Sequence, residues 1–350
     1  MCLETQVEVI RELANDSSTD VSFDEGGYLF LSDTESGAAV LRENLVTQQA
    51  VGAEVGLVGG GDKLKKQFPW LQTDDIVEAC FGARNEGWFD PYSLTRVFKK
   101  RAQQAGAKFV KGDVVAINSS KSSTGLDEST ITNIVTEDEN VFNCGIVVNA
   151  AGCWSQNLLT VALQGDSGRS AQILPVFPRR RQVFTVHSPV PLDNPGVPLV
   201  VDPSGIYFRR EGSAERGLFL VGGMEKKLED PNCEGTAEEL QCDLDFFMDH
   251  LWPALATRVP AFENVKCVSE WAGFYDYNTF DQNALLGLIP GFRNFLCATG
   301  FSGHGIQQAP AVGRAIAELI NYGEYRSLDL NLMNVDRVLE ERRVLERNIV

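Results

Sequence analysis

Apolar residues recur at helical spacing at the start of the chain, at Leu3, Val7, Ile10 and Ala14, so residues 2–14 are predicted to form an amphipathic helix. The tract EGGYLFLSDT then reads as a strand and residues 35–50 as a helix. In DPYSLTRVFKKRAQQAG a helix is expected with Asp90 as N-cap, Pro91 in its first position and Gly106 as its stop. AKFVKGDVVAINS reads as a strand pair, ITNIVTED as a further strand, and FNCGIVVNAAGCWSQNLL as strand, turn and helix. Residues 174–222 are strand-rich and broken by Pro and Gly, the pattern of an antiparallel sheet. A helix fits 236–251 and strands fit 265–289. Near the end, the strand FLCATG (295–300) enters a turn with Gly300, Gly303 and Gly305, followed by a helix carrying Ile306, Val312, Ile316, Leu319 and Ile320. Residues 324–350 read as a charged, helix-like C-terminal extension. This alternation predicts an α/β protein, with a doubly wound, Rossmann-like parallel domain interleaved with an antiparallel β-rich domain.

Composition narrows the partners. The chain has 350 residues and a net charge of −17, which argues against a nucleic-acid or anionic-membrane surface. No apolar run approaches the roughly 20 residues of a membrane helix. The eight cysteines form no CxxC and the three histidines lie far apart, so neither a metal site nor a disulfide scaffold is expected. The opening MCLETQVEVIRELAND has one basic residue, Arg11, among acidic ones, and does not read as a targeting segment. GLVGGGDKLKK (56–66) lacks GxGxxG spacing and sets Asp62 where a phosphate would sit, so it reads as a turn before a short helix.

Two strand–turn–helix units carry the candidate chemistry: IVVNAAGCWS (146–155) and FLCATGFSGHGIQQAP (295–310). Each feeds an apolar strand into a small-residue turn, as close backbone approach to an anionic ligand requires. With EGWFDPYSLTRVFKKRAQQAGAKFVKG, LPVFPRRRQVFTV and EWAGFYDYNTFDQNALLG in this order, the chain resembles the glycine oxidase, sarcosine oxidase and dimethylglycine dehydrogenase family of FAD-dependent oxidoreductases. The resemblance runs from the GGYLFL strand to the helix ending near Asn321. It implies an FAD-binding domain at 1–17, 90–168 and 291–323, and a substrate domain at 18–89 and 169–290, with 324–350 as the extension. It places Ala150, Ala151, Gly152 and Trp154 at the adenosine end of FAD, and Val114 and Val115 at the adenine edge. The turn Gly300, Phe301, Ser302, Gly303, His304 and Gly305, with Ile306 and Gln307, is implied to meet the flavin and ribityl. Helix amides there would stabilise negative charge on the reduced flavin.

His304 has a catalytic reading as a base and a plainer one as a pocket-lining turn residue; the plainer one is favoured, because the flavin performs the redox chemistry. Gln307 stands where sarcosine oxidases carry a substrate-binding Lys, and brings a donor but no charge. Arg209 or Arg210 is an alternative anion anchor, exposed strand-end residues being the plainer account. Of Arg179, Arg180 and Arg181, one is expected to face inward. Phe274 occupies the position where some relatives attach flavin through Cys, so non-covalent FAD is expected; Tyr275 and Tyr277 either line the substrate cavity or pack. The family's first-strand GxGxxG has no counterpart, so the chain is expected to begin after that unit, with open edges on the IVVNAAG and FLCATG strands. The resemblance further implies oxidation of an amine or amino-acid-like substrate, a mitochondrial matrix setting, and respiratory complex I assembly intermediates as partners. A non-catalytic assembly protein keeping the fold, or a form that cannot hold FAD, are the alternatives.

Overall fold

The computed structural model describes residues 2–15, 21–121, 128–164, 171–192, 196–223 and 230–346. Its elements follow the sequence pattern closely at first. Helix α1 (Cys2–Asn15) precedes β1 (Tyr28–Ser32), α2 (Glu35–Ala50), β2 (Val55–Leu57), α3 (Gly61–Gln67), β3 (Glu78–Gly82) and α4 (Pro91–Gln104). Thr34 caps α2 by accepting from the Gly37 amide, and Asp90 caps α4 by accepting from the amides of Tyr92 and Ser93. Next come β4 (Val114–Lys121), β5 (Ser129–Thr136), β6 (Val141–Asn143), β7 (Val147–Asn149) and α5 (Ser155–Ala162). Strands β8 (Val176–His187), β9 (Leu199–Val201), β10 (Ile206–Arg210) and β11 (Leu218–Gly223) form the run expected at 174–222.

Helix α6 (Leu244–Phe246) passes through a π-helical turn, Phe247–Leu251, into α7 (Trp252–Arg258). The chain closes with β12 (Lys266–Asn278), β13 (Leu285–Leu288), β14 (Phe295–Thr299), α8 (Gly305–Tyr322) and α9 (Asp336–Leu339).

One eight-stranded sheet has the order β12-β8-β11-β10-β9-β1-β3-β2, antiparallel throughout except for the β1–β9 pair. Strand side chains alternate between faces, and here the alternation separates two functions. Leu29 and Leu31, Val200, Ile206 and Phe208, and Phe184 and Val186 enter a buried core, where Leu64, Phe247, Leu251, Leu255 and Phe262 cover them from α3 and the α6–α7 segment. The intervening residues Tyr28, Phe30, Leu199, Val201, Tyr207 and Arg181 face a cavity. A one-residue slip in any of these strands would exchange the two sets.

The remaining strands form two three-stranded sheets, β13-β14-β7 and β4-β5-β6. The side chain of Asn294 ties them together: its Oδ1 accepts from the Ile131 amide at 2.7 Å, and its Nδ2 donates to the carbonyls of Ile131 and Gly145, both at 2.8 Å.

Several expectations are corrected. The pair in AKFVKGDVVAINS is one strand, β4, because Val114–Lys121 pairs with β5 and no strand forms over 107–113. The helix at 236–251 is divided, because Thr236 with Glu239 makes one capping box and Asp243 starts a second cap on the amides of Asp245 and Phe246. β13, placed before the boundary at 290, pairs with β14 and so shares the sheet of the strand that leads into the glycine turn. FLCATG has no open edge, since β14 is paired on both sides; of the two strands expected to be open, β7 is the one paired on one side alone.

Residues 324–346 are not an appendage. Arg337 is fully buried and donates to both carboxylate oxygens of the equally buried Asp281, at 2.8 and 3.0 Å, and to the carbonyls of Met333 and Asn283. A charge of the segment read as a C-terminal extension instead pins it beneath the β12–β13 connection.

Candidate functional site

A cavity of about 550 Å³ opens between the inner face of the large sheet and the start of α8. The sheet contributes the residues named above together with Tyr275, while the facing wall is Gly303, His304, Ile306, Gln307 and Pro310. Ile10 of α1, with Phe23 and Phe89, closes one side in apolar surface.

The glycine turn splits in two. Gly300 and Phe301 point their amides at Asp276 Oδ2, at 2.7 and 3.2 Å, and the Ser302 amide donates to the Asp276 carbonyl at 3.0 Å. The Ser302 hydroxyl, 1% exposed, accepts from the Asn278 amide at 3.0 Å. Gly300, Phe301 and Ser302 therefore anchor the turn to the end of β12. Gly303, His304, Ile306 and Gln307 face the cavity.

Glycine is needed at two of these positions. Gly300 has φ +74° and a Cβ there would lie 3.1 Å from Val176 and 3.2 Å from Asn278; Gly303 has φ +97°, where a side chain is strained whatever the space. The first amide taken inside α8 is that of Gln308, which donates to the His304 carbonyl at 3.2 Å. Those of Gly305, Ile306 and Gln307 precede it at the positive end of an 18-residue helix. A ring system with electron-rich edge atoms fits this wall.

The second turn lies behind the first. Thr299 Oγ1 donates to the Gly152 carbonyl at 2.9 Å. Asn149, fully buried, donates to the Ser155 carbonyl at 2.9 Å and accepts from the Ala151 amide at 3.2 Å. Ala150 is exposed, and at Gly152 (φ +56°) a Cβ would meet nothing within 4 Å, so this turn presents open backbone. Trp154, half exposed, meets Phe274 edge-on at 6.3 Å. Val114 and Val115 begin β4 away from the cavity, with Val115 exposed and Val114 packed against the β4–β5 core.

Of the three consecutive arginines, Arg181 lines the cavity. It makes a two-pronged pair with Asp230, both bonds at 2.9 Å, and donates to the Tyr275 hydroxyl. Arg179 lies over the Tyr277 ring, 3.4 Å from its centroid, and also reaches Asp230. Arg180 donates to the carbonyls of Glu239 and Gln241. Arg209 and Arg210 pair instead with Glu211 and Asp24. Tyr277 is packed; Tyr275 is a cavity residue, and burial pushes its hydroxyl up to about 12, so it stays protonated.

Two functional residues escaped the sequence reading. Asp276 stands between two tyrosines in FYDYN, and its carboxyl is raised by burial despite its bonds from the Phe301 and Gly300 amides. An acid inside an aromatic strand was the available signal. Glu86 lines the cavity, and burial pushes it up to about 7, opposed by the bond it accepts from the Tyr28 amide. It lies so close over Gly82 that a Cβ there would collide with its carboxylate.

The family description FAD dependent oxidoreductase matches residues 1–319. The chain belongs to that family. It is 40% identical over 355 residues to FAD-dependent oxidoreductase domain-containing protein 1 of Xenopus laevis, covering 97% of this chain and 69% of that protein. It is 24% identical over 287 residues to monomeric sarcosine oxidase of Bacillus sp., covering 79% of this chain and 66% of that one. Among solved structures, L-proline dehydrogenase from P. horikoshii superposes with a TM-score of 0.80 at 23% identity, over 98% of this chain and 84% of that one. Glycine oxidase from Geobacillus kaustophilus gives 0.75 at 21%, over 95% and 81%. These structures share the fold expected from the sequence, an α/β FAD-binding architecture with mixed and antiparallel sheets. The chain is an FAD-dependent oxidoreductase of the amine oxidase type.

Among the described residues no helix is long and apolar enough to cross a membrane, and no cluster of His, Cys, Asp or Glu is arranged to hold a metal ion.

Proposed function

We propose that the cavity binds a small amine or N-substituted amino acid and that the chain oxidises its C–N bond to an imine, which water then hydrolyses. The observation that carries this reading is the opposition of two walls. Gly303–Gln307 and the α8 amides form one, and Arg181 with Tyr275 forms part of the other.

FAD, when bound, supplies the two-electron acceptor. The chain's residues do the rest. Gly303, His304, Gly305, Ile306 and Gln307 hold the redox end, and Ala150, Ala151, Gly152 and Trp154 the adenosine end, with Val114 and Val115 at the adenine edge. Arg181, held by Asp230, donates to the Tyr275 hydroxyl oxygen and leaves the Tyr275 O–H to donate to the substrate. Gln307 adds an uncharged donor, and Phe23, Phe30 and Phe89 exclude water. His304 acts as a pocket wall rather than a base.

Attachment is non-covalent in this reading. Phe274 offers no thiol, and burial together with the charge of Asp276 pushes the nearby Cys153 thiol up to about 11, which keeps it protonated and inert.

Anaerobic addition of N-methylglycine and larger N-methyl amino acids to the FAD-loaded chain tests the proposal. Bleaching of the visible flavin absorbance is expected. A second reading is favoured by the missing charge at Gln307: a mitochondrial protein that keeps the fold and serves respiratory complex I assembly without turnover. Bound FAD that stays oxidised with every such amine would support that reading and overturn the first.

A further inference from the structure

Glu86 has no role in holding the flavin or in meeting the common amino-acid core of a substrate. It lies on the connection between β3 and α4, on the cavity wall, and among the described residues it forms no ion pair with a basic side chain. Its one acceptor bond is from the Tyr28 backbone amide. The surrounding surface is aromatic and apolar: Tyr28, Phe30 and Phe89 line the same cavity. Glu86 is half-buried, and the cost of keeping its carboxylate partly withdrawn from water without a counter-charge would be offset by a cationic ligand.

The cavity's cation is already satisfied. Arg181 faces Asp230 with both prongs, so it cannot neutralise Glu86 without abandoning a 2.9 Å two-pronged pair. Glu86, Tyr28, Tyr207 and Arg181 line the same cavity.

We propose that Glu86 is a specificity residue for a second, cationic group on the substrate: the cavity selects amino-acid-like amines whose side chain ends in an ammonium. The inference rests on the amine-oxidising reading above and names the substrate class within it. Aromatic rings beside the carboxylate favour an ammonium over a metal ion, because an organic cation also gains from their faces.

Calorimetric titration of the FAD-loaded chain with N-methyl-L-lysine and with N-methyl-L-norleucine tests it. A preference of roughly tenfold or more for the lysine derivative is expected from one charge-assisted contact in a partly dry site. In Glu86→Gln the preference should fall to within about twofold, and Glu86→Asp should restore part of it. Equal affinities in the wild type would overturn the proposal, as would a preference that survives Glu86→Gln. If neither compound binds, the cation subsite also falls. Bleaching of the flavin by the norleucine derivative alone would leave amine oxidation standing and remove only the subsite. A loss in turnover at unchanged affinity ratio would mark Glu86 as a proton acceptor instead.

Discussion

The two walls of the cavity are built by different physics. On the sheet side a continuous hydrophobic core lies behind the wall, with Phe184, Phe208 and Phe262 fully buried, each contributing on the order of 1.5–3 kcal/mol by burial. On the α8 side the apolar residues divide into separate clusters around Phe295, Ile316 and Leu13, and the joints between them are polar. Asp281 is the principal joint: it accepts from Arg337, from Asn278 Nδ2 at 2.8 Å and from the Val344 amide at 3.0 Å. Asn278 in turn donates its amide to Ser302 in the glycine turn. The sheet wall is a self-supporting surface, whereas the position of the glycine-turn wall is transmitted through a few hydrogen-bonded side chains. Apolar packing tolerates gradual change, but a buried polar joint fails when one partner is removed.

The largest effect should come from Arg337→Met. It leaves the Asp281 carboxylate buried without its guanidinium, at a cost of about 3–5 kcal/mol. Amide exchange should show protection lost over 276–283 and 300–305 while β8 to β11 keep theirs. A uniform loss across both walls would break the comparison.

Asp276→Ala comes next. It strips the acceptor from the Gly300 and Phe301 amides, each worth about 1–3 kcal/mol when left unpaired. Asp276→Asn keeps an acceptor oxygen and should lose less. Thermal unfolding of the pair separates these outcomes; equal destabilisation would show that the carboxylate charge, rather than the hydrogen bonds, holds the turn.

A smaller effect sharpens the account of the sheet wall. Glu86 is raised from its ordinary 4.5 to about 7, so the folded chain holds this proton more tightly than the unfolded one. Its contribution to stability is full below the ordinary value and is lost as pH rises through about 7. Glu86→Gln does not titrate, so its stability relative to wild type should improve by ~1 kcal/mol between acid and mildly alkaline pH, after discounting for cavity water. Urea midpoints measured across that range check it; parallel curves would show that Glu86 is solvated.

Much of the sheet wall was legible. Alternation in YLFLS and in IYFRR separates core from cavity once the strand is recognised, and the glycine turn stands out because positive φ restricts the choice of residue. The polar joints were not legible, since they pair residues distant in sequence. Arg337 and Asp281 are 56 positions apart, and a charged tail looks the same in sequence whether it is solvated or buried. Likewise, strand parity separates Arg180 from Arg179 and Arg181, but Asp230, on a distant segment, holds both of these, and nothing local shows that Arg181 is the one lining the cavity. Glu86 was hidden for the same reason, its burial being set by β1 and β3 rather than by its neighbours.

If Gly303, His304, Ile306 and Gln307 meet the flavin in this cavity, as proposed, the FAD stoichiometry of Gly303→Val must show it. Gly303 is open toward the cavity, its nearest neighbour being the Tyr275 ring at 3.8 Å, so a branched side chain there would project into the space assigned to the flavin. The variant should keep its far-ultraviolet circular dichroism and lose most of the FAD that the wild type retains through gel filtration. Equal FAD content in variant and wild type would contradict it.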